Sequence, residues 1–246
     1  MAISINSIIH YTDTIEKLKG ILLEGFQVKY CLEETSTKIG LKIYGAYPMV
    51  CFCDIPLSDT KNHLASYGHY GIGLHKKWAT ANGLNPVVYI DKFSDIGYSL
   101  SMLFKMGKNE KGEYDNDYIT NSIKIFSYLK NYEGHLIRAG RDEENYRFYD
   151  EKEWRYVPPD KLMEGATNVA MPEKYLSDKD KYNKAIKHIK LNFTFEDISY
   201  IIVKEETDIP EIAKQLRHVY ADKCTVTQLE ILLTRIITAS QVINDF

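Results

Sequence analysis

The sequence predicts an α+β fold, a mostly β core with flanking helices and one helical insert. Three observations lead there. Runs that are β-branched or alternate in polarity recur at residues 8–11, 26–30, 49–54, 87–90 and 198–203, as half-buried or buried strands do. Apolar residues at helical spacing follow the first strand and fill the C-terminal region. Between residues 92 and 131 the pattern turns helical around a charged loop, which marks an insert within a domain spanning residues 1–246.

Composition narrows the function classes. With 246 residues, 44% hydrophobic and 26% charged, the chain can bury a sizeable core. A net charge of −3 gives no global basic field for nucleic acid or anionic membrane, though a local basic patch stays open. Residues 1–6 lack a basic, then apolar, leader, and no apolar run approaches a membrane span. A cytoplasmic protein with four reduced cysteines is expected, with no metal site, since no CxxC pair exists.

The elements follow in order. Ile8 and Ile9 run into His10, Tyr11 and Thr12, a polar end to an apolar strand, where ligand-contacting groups tend to sit. Asp13 is expected to cap a helix carrying Ile15, Leu18, Ile21 and Leu22, with Glu16 completing a capping-box variant and Gly25 stopping it. A second strand covers 26–30, and residues 33–47, polar and glycine-containing, read as a loop. The strand at 49–54 must turn at Pro56, and Ser58 or Asp59 can cap a short helix through Leu64.

Residues 67–74 combine aromatic residues with Gly68, Gly71 and Gly73, which permit close backbone approach or positive φ. A short helix at 75–82, a strand at 87–90 and the two helices of the insert follow. Residues 148–157 alternate around Glu151, Glu153 and Arg155 until Pro158 and Pro159, so these three side chains would share one strand face. Residues 178–190 read as a charged surface helix, and Pro210 opens a helix with Ile212, Leu216 and Val219. The last apolar run, from Leu229 to Ile237, is either one helix or a strand followed by a helix near Ser240.

Ile9-His10-Tyr11-Thr12 with its following helix and Gly25-Phe26 resembles the opening of ADP-ribosyltransferase-fold proteins. Residues 50–54, then Ser58 and Tyr67, resemble the next element of the poly-ADP-ribosyltransferase branch, and Glu153 would be the late glutamate of a His-Tyr-Glu triad. Here Tyr11 stands where that branch often has glycine, and the longer Ser58–Tyr67 gap leaves Tyr70 as an alternative to Tyr67. Phe52-Cys53-Asp54-Ile55-Pro56-Leu57-Ser58, Tyr67-Gly68-His69-Tyr70-Gly71-Ile72-Gly73, Trp78, Asn85-Pro86-Val87 and Glu153-Trp154-Arg155, which span more of the chain, together resemble the AbiGi family of abortive phage-infection proteins.

The resemblance implies an ADP-ribosyltransferase-like split β-sheet core, NAD as cofactor and defined roles. His10 would hold a ribose hydroxyl, Tyr11, Thr12 and Phe52 would border the nucleotide, Ser58 would meet the carboxamide, and Tyr67 or Tyr70 would stack on nicotinamide. Glu153 would stabilise the ribose cation formed as the nicotinamide bond breaks. ADP-ribose would pass to an acceptor that is protein, nucleic acid or a small molecule. The alternative is an antitoxin-type partner, catalytically silent, that neutralises a companion toxin. A third is a nucleotide sensor without turnover. The plainest reading makes Glu153 and Arg155 a charge pair on an exposed strand.

Overall fold

The computed structural model describes residues 6–245 apart from 39, 41, 108–110, 139 and 140. Strand β1 (Ser7–Thr12) feeds helix α1 (Ile15–Glu24). Thr14 caps that helix in place of Asp13. It is the extended residue directly before the first turn, and its Oγ1 accepts from the Lys17 N–H at 3.3 Å. Asp13 instead pairs with Lys17 Nζ at 2.6 Å. Gly25 ends the helix at φ +79°, against the backbone of Leu191 and Asn192, where a Cβ would overlap.

Strands β2 (Phe26–Gln27), β3 (Lys29–Ser36) and β4 (Lys42–Cys53) come next. The loop expected at 33–47 is therefore a hairpin, in continuous register from Lys29↔Met49 to Ser36↔Lys42. Its alternation is masked by residue type. Thr35, Ile43 and Tyr47 are buried while Glu34 and Tyr44 face solvent. After a 3-10 turn at Leu57–Asp59, helix α2 (Lys61–Tyr67) starts behind Thr60, so neither Ser58 nor Asp59 caps it. The glycine-aromatic stretch forms β5 (Tyr70–His75), followed by α3 (Lys76–Ala81), β6 (Asn85–Pro86) and β7 (Val88–Ile90).

The insert supplies α4 (Asp95–Met106) and α5 (Asn116–Ser127), then returns as β8 (Leu129–Asn131), parallel to β7. The hairpin β9 (Gly134–Arg138) and β10 (Arg141–Tyr146) precedes β11 (Glu153–Tyr156). The long strand expected from residue 148 is cut short. Phe148–Glu151 winds into a 3-10 turn, and Lys152, at φ +42°, redirects the chain. Helices α6 (Pro172–Ser177) and α7 (Lys179–Ala185) end well before Lys190, which lies in β12 (Lys190–Leu191). Strand β13 (Ile198–Val203), α8 (Ile209–Tyr220), α9 (Val226–Leu233), β14 (Ile236–Thr238) and α10 (Ala239–Asp245) complete the chain. The C-terminal run combines the two readings: Leu229 to Leu233 are helical, while Ile236 and Ile237 form a strand that leads into a helix from Ala239.

The main sheet runs β14-β13-β5-β1-β4-β11-β6, with β3 also on β4. Six register pairs join β1 to β5, but β1 meets β4 only at Ile9↔Cys53. The two halves of the sheet thus touch at one point and part from there. Ile8, Phe52, Ile72 and Ile201 face one core layer under α1 and α8, while Ile9, Tyr11, Cys53 and Ile202 face a second layer under α2 and α10. Gly73 is needed here because the ring of Tyr200 lies across it, where any Cβ would collide. No helix among the described residues is long and apolar enough to cross a membrane.

Candidate functional site

A cleft of about 640 Å³ opens where β1 and β4 diverge, within the range of small-ligand and cofactor sites. Of the sequence-predicted residues, His10, Tyr11, Thr12, Phe52, Tyr67 and Glu153 border it. Ser58 and Tyr70 do not. Pro56 sets the 3-10 turn that carries Ser58 to the exposed surface, and the hydroxyl of Tyr70 donates to Asp208 Oδ2 at 3.2 Å. Of the two candidate stacking tyrosines, the cleft therefore holds Tyr67. Tyr11 borders the cleft, but its ring packs in the second core layer with Ile9, Cys53 and Ile55. The alternation of β1 sends it to the face opposite His10.

His10 is fixed by strand geometry and aromatic packing. Its Nδ1 donates to the Cys51 carbonyl oxygen at 2.8 Å, across the point where the strands separate. The ring meets Phe26 and Phe52 edge-on, at 5.1 and 5.6 Å between centroids. Burial, foremost, holds its pKa below the usual 6.5, with Lys29 adding to the effect against the carbonyl hydrogen bond. The imidazole is thus neutral with its proton on Nδ1, which leaves Nε2 as a hydrogen-bond acceptor. A ligand hydroxyl meeting this nitrogen would donate to it rather than accept from it.

The far wall is a buried charge network. Glu153 is 5% exposed and Arg155 is 0% exposed, which overturns the exposed charge pair as an explanation. Glu153 Oε1 accepts from Arg155 Nε at 2.7 Å, and its Oε2 accepts from Lys130 Nζ at 2.8 Å and Arg155 Nη2 at 3.2 Å. Lys130 also donates to Glu151 Oε2 at 2.7 Å, and Tyr67 donates its hydroxyl proton to Glu151 Oε1 at 2.5 Å. Arg155 Nη2 reaches Glu33 at 2.7 Å, and Nη1 donates to the Ser127 carbonyl oxygen.

Burial alone would raise the Glu153 carboxyl, but Arg155 and Lys130 outweigh it and hold the group well below the carboxylate range. Glu151 is lowered in the same way, against burial, by Lys130 and Tyr67. Burial would lower Lys130, but Glu153 and Glu151 raise it well above its ordinary value. Glu151, Glu153 and Lys130 are therefore ionised at neutral pH. Glu151 shares this site with Glu153 although it lies on the 3-10 turn and not on β11.

Sequence reasoning missed Lys130 and Glu33. The only signal was chemical. Lys130 sits between Leu129 and Asn131 in a strand buried at all three positions, and a lysine there requires a carboxylate partner. Asp54, singled out in the sequence, works outside the cleft lining. Its Oδ2 pairs with Lys76 at 2.5 Å and accepts from Trp154 Nε1 at 3.3 Å, tying β4 to α3 and β11.

Residues 24–204 match a family model described as "Putative abortive phage resistance protein AbiGi, antitoxin". The chain belongs to the AbiGi family. The abortive phage resistance protein AbiGi of Lactococcus lactis subsp. cremoris is 27% identical over 220 residues, covering 81% of this chain and 88% of that protein. No solved structure matches. The AbiGi match includes β4, β5 and β11, and so takes in the cleft wall from Phe52 to Glu153. His10 lies before its start.

Proposed function

We propose that this AbiGi protein acts in phage defence as an antitoxin-type partner that neutralises a companion toxin through its helical insert. Its cleft binds a nicotinamide nucleotide, NAD, without turning it over. The outer side of α4 carries the partner reading. Ile96, Leu103 and Met106 share that side by helical spacing and are 63%, 61% and 73% exposed. The opposite side of the helix buries Gly97 and Ser101. Clustered apolar residues of this kind mark a surface that another molecule covers.

The cleft chemistry agrees with binding without turnover. A ribose cation needs a carboxylate whose charge is available to it. Glu153 is buried, and its two oxygens are already engaged by Arg155 and Lys130. ADP-ribosyl transfer to a protein or nucleic-acid acceptor is the second reading, and one observation favours it. Within the far wall, three carboxylates, Glu33, Glu151 and Glu153, meet two cations, Lys130 and Arg155, so that network carries a net negative charge next to Tyr67.

Co-expression with the companion toxin tests the proposal. Wild type and Glu153→Gln should both restore growth, while Ile96→Asp with Leu103→Asp should not, although the variant stays folded. Loss of rescue in a folded Glu153→Gln variant, with rescue intact in the insert variant, would replace this reading with the transferase one.

A further inference from the structure

The chain is acidic overall, with a net charge of −3, yet residues 174–190 hold six lysines and only two aspartates. One of those aspartates, Asp178, is engaged in capping α7, where its Oδ1 accepts from the Lys181 N–H at 3.0 Å. Lys174, Lys179, Lys181, Lys184 and Lys187 are exposed, and among the described ion pairs none involves them. Surface lysines are ordinarily interspersed with acids, so this face is a concentration of unneutralised positive charge.

The face is held firmly and runs into the cleft. Asn183 accepts from the Tyr30 N–H at 3.0 Å, Gln27 donates to the carbonyl oxygens of Ile186 and Ile189, and β12 pairs with β2. Lys190 and Lys29 border the cleft. Lys190 pairs with Glu24 at 2.9 Å, and Lys187 also acts on that carboxylate.

We propose that this lysine face binds the phosphate backbone of a nucleic acid that runs along α7 toward the cleft mouth. Lysine as the dominant residue favours phosphate over a protein partner. Protein interfaces are depleted in lysine at their centre and rely on aromatic and arginine anchors, whereas lysine is a common phosphate neutraliser. The face contains no arginine. The inference is independent of what the cleft binds.

Fluorescence anisotropy with a labelled mixed-sequence DNA 16-mer, followed from low to physiological salt, tests it. Wild type should bind, with affinity falling as salt rises. Lys181→Glu/Lys184→Glu/Lys187→Glu should weaken binding at least tenfold and flatten the salt dependence, since each lost phosphate contact lowers the slope by about 1. Lys105→Glu/Lys214→Glu/Lys223→Glu, an equal charge change elsewhere, should stay within about twofold of wild type. Circular dichroism confirms that both variants are folded. Three results would overturn the proposal: no binding by wild type at low salt, equal losses in the two variants, or displacement of the DNA by poly-glutamate as readily as by unlabelled DNA.

Discussion

Lys130 Nζ and Glu153 Oε2 lie 2.8 Å apart, with both side chains almost excluded from solvent. One stands where the helical insert returns to the core and the other opens β11, so this contact fastens the insert to the cleft wall. Removing one member of such a buried pair leaves an uncompensated charge. Lys130→Met should therefore destabilise the protein by about 3–5 kcal/mol, measured by urea unfolding. Adding Glu153→Gln should recover part of that loss, because the residual buried charge is then smaller. Additive losses in the double variant would show that the two residues are not coupled.

Stability should depend on pH in two acid steps. Folding holds His10 below its ordinary 6.5, through burial first, so beneath that pH the unfolded chain binds a proton that the folded chain resists. Folding also holds Glu151 and Glu153 below their ordinary 4.5, despite burial, through Arg155 and Lys130. Their contribution is present above 4.5 and is lost as pH falls through the folded-state values. Lys130 is raised above its ordinary 10.5, so its contribution persists below that pH and fades only in stronger base. Urea unfolding from pH 4 to 8 should show a shallow decline from about 6.5 and a steeper one beneath about 4.5. His10→Gln should remove the first step alone.

Gly73→Ala should destabilise by roughly 1–3 kcal/mol, the usual cost of overpacking. The new methyl would meet the Tyr200 ring, and β5 lies between β1 and β13 with no room to shift. Pairing it with Tyr200→Ala removes the collision, so the double variant should lose less than the sum of the two single losses in thermal or urea unfolding. A full sum would mean that the glycine serves some other contact.

Much of this fold is legible in the sequence, where residue type and periodicity agree. Ile8 to Tyr11, Phe52 and Ile198 to Val203 lie in the strands their patterns predict, and His10, Phe52, Tyr67 and Glu153 converge on one cleft. The β3–β4 hairpin was hidden because its buried positions include Thr35 and its outward ones include Tyr44, which blurs the alternation. Ser58 was misplaced because one 3-10 turn after Pro56 decides where it points. Lys130 and Glu33 could not be paired with Glu153 and Arg155 from sequence, since those contacts depend on how separate strands meet.

His10→Ala should weaken NAD binding by about tenfold, the effect of about 1.4 kcal/mol, the upper range of one net hydrogen bond. The loss comes from the Nε2 acceptor, which the Nδ1 bond to Cys51 fixes in place. His10→Gln should recover part of the affinity. Unchanged affinity in the alanine variant, by calorimetric titration, would remove His10 from the binding site.

The most direct measurement is NAD titration of the wild-type protein together with nicotinamide release, repeated with Glu153→Gln. A cleft that binds NAD without turnover should give saturable binding, release no faster than from free NAD, and no change in release when the carboxylate is removed. Sustained release by wild type that falls 10²–10³-fold in Glu153→Gln, as losing a transition-state electrostatic contact would cause, would contradict binding without turnover and establish Glu153-dependent cleavage of the nicotinamide–ribose bond.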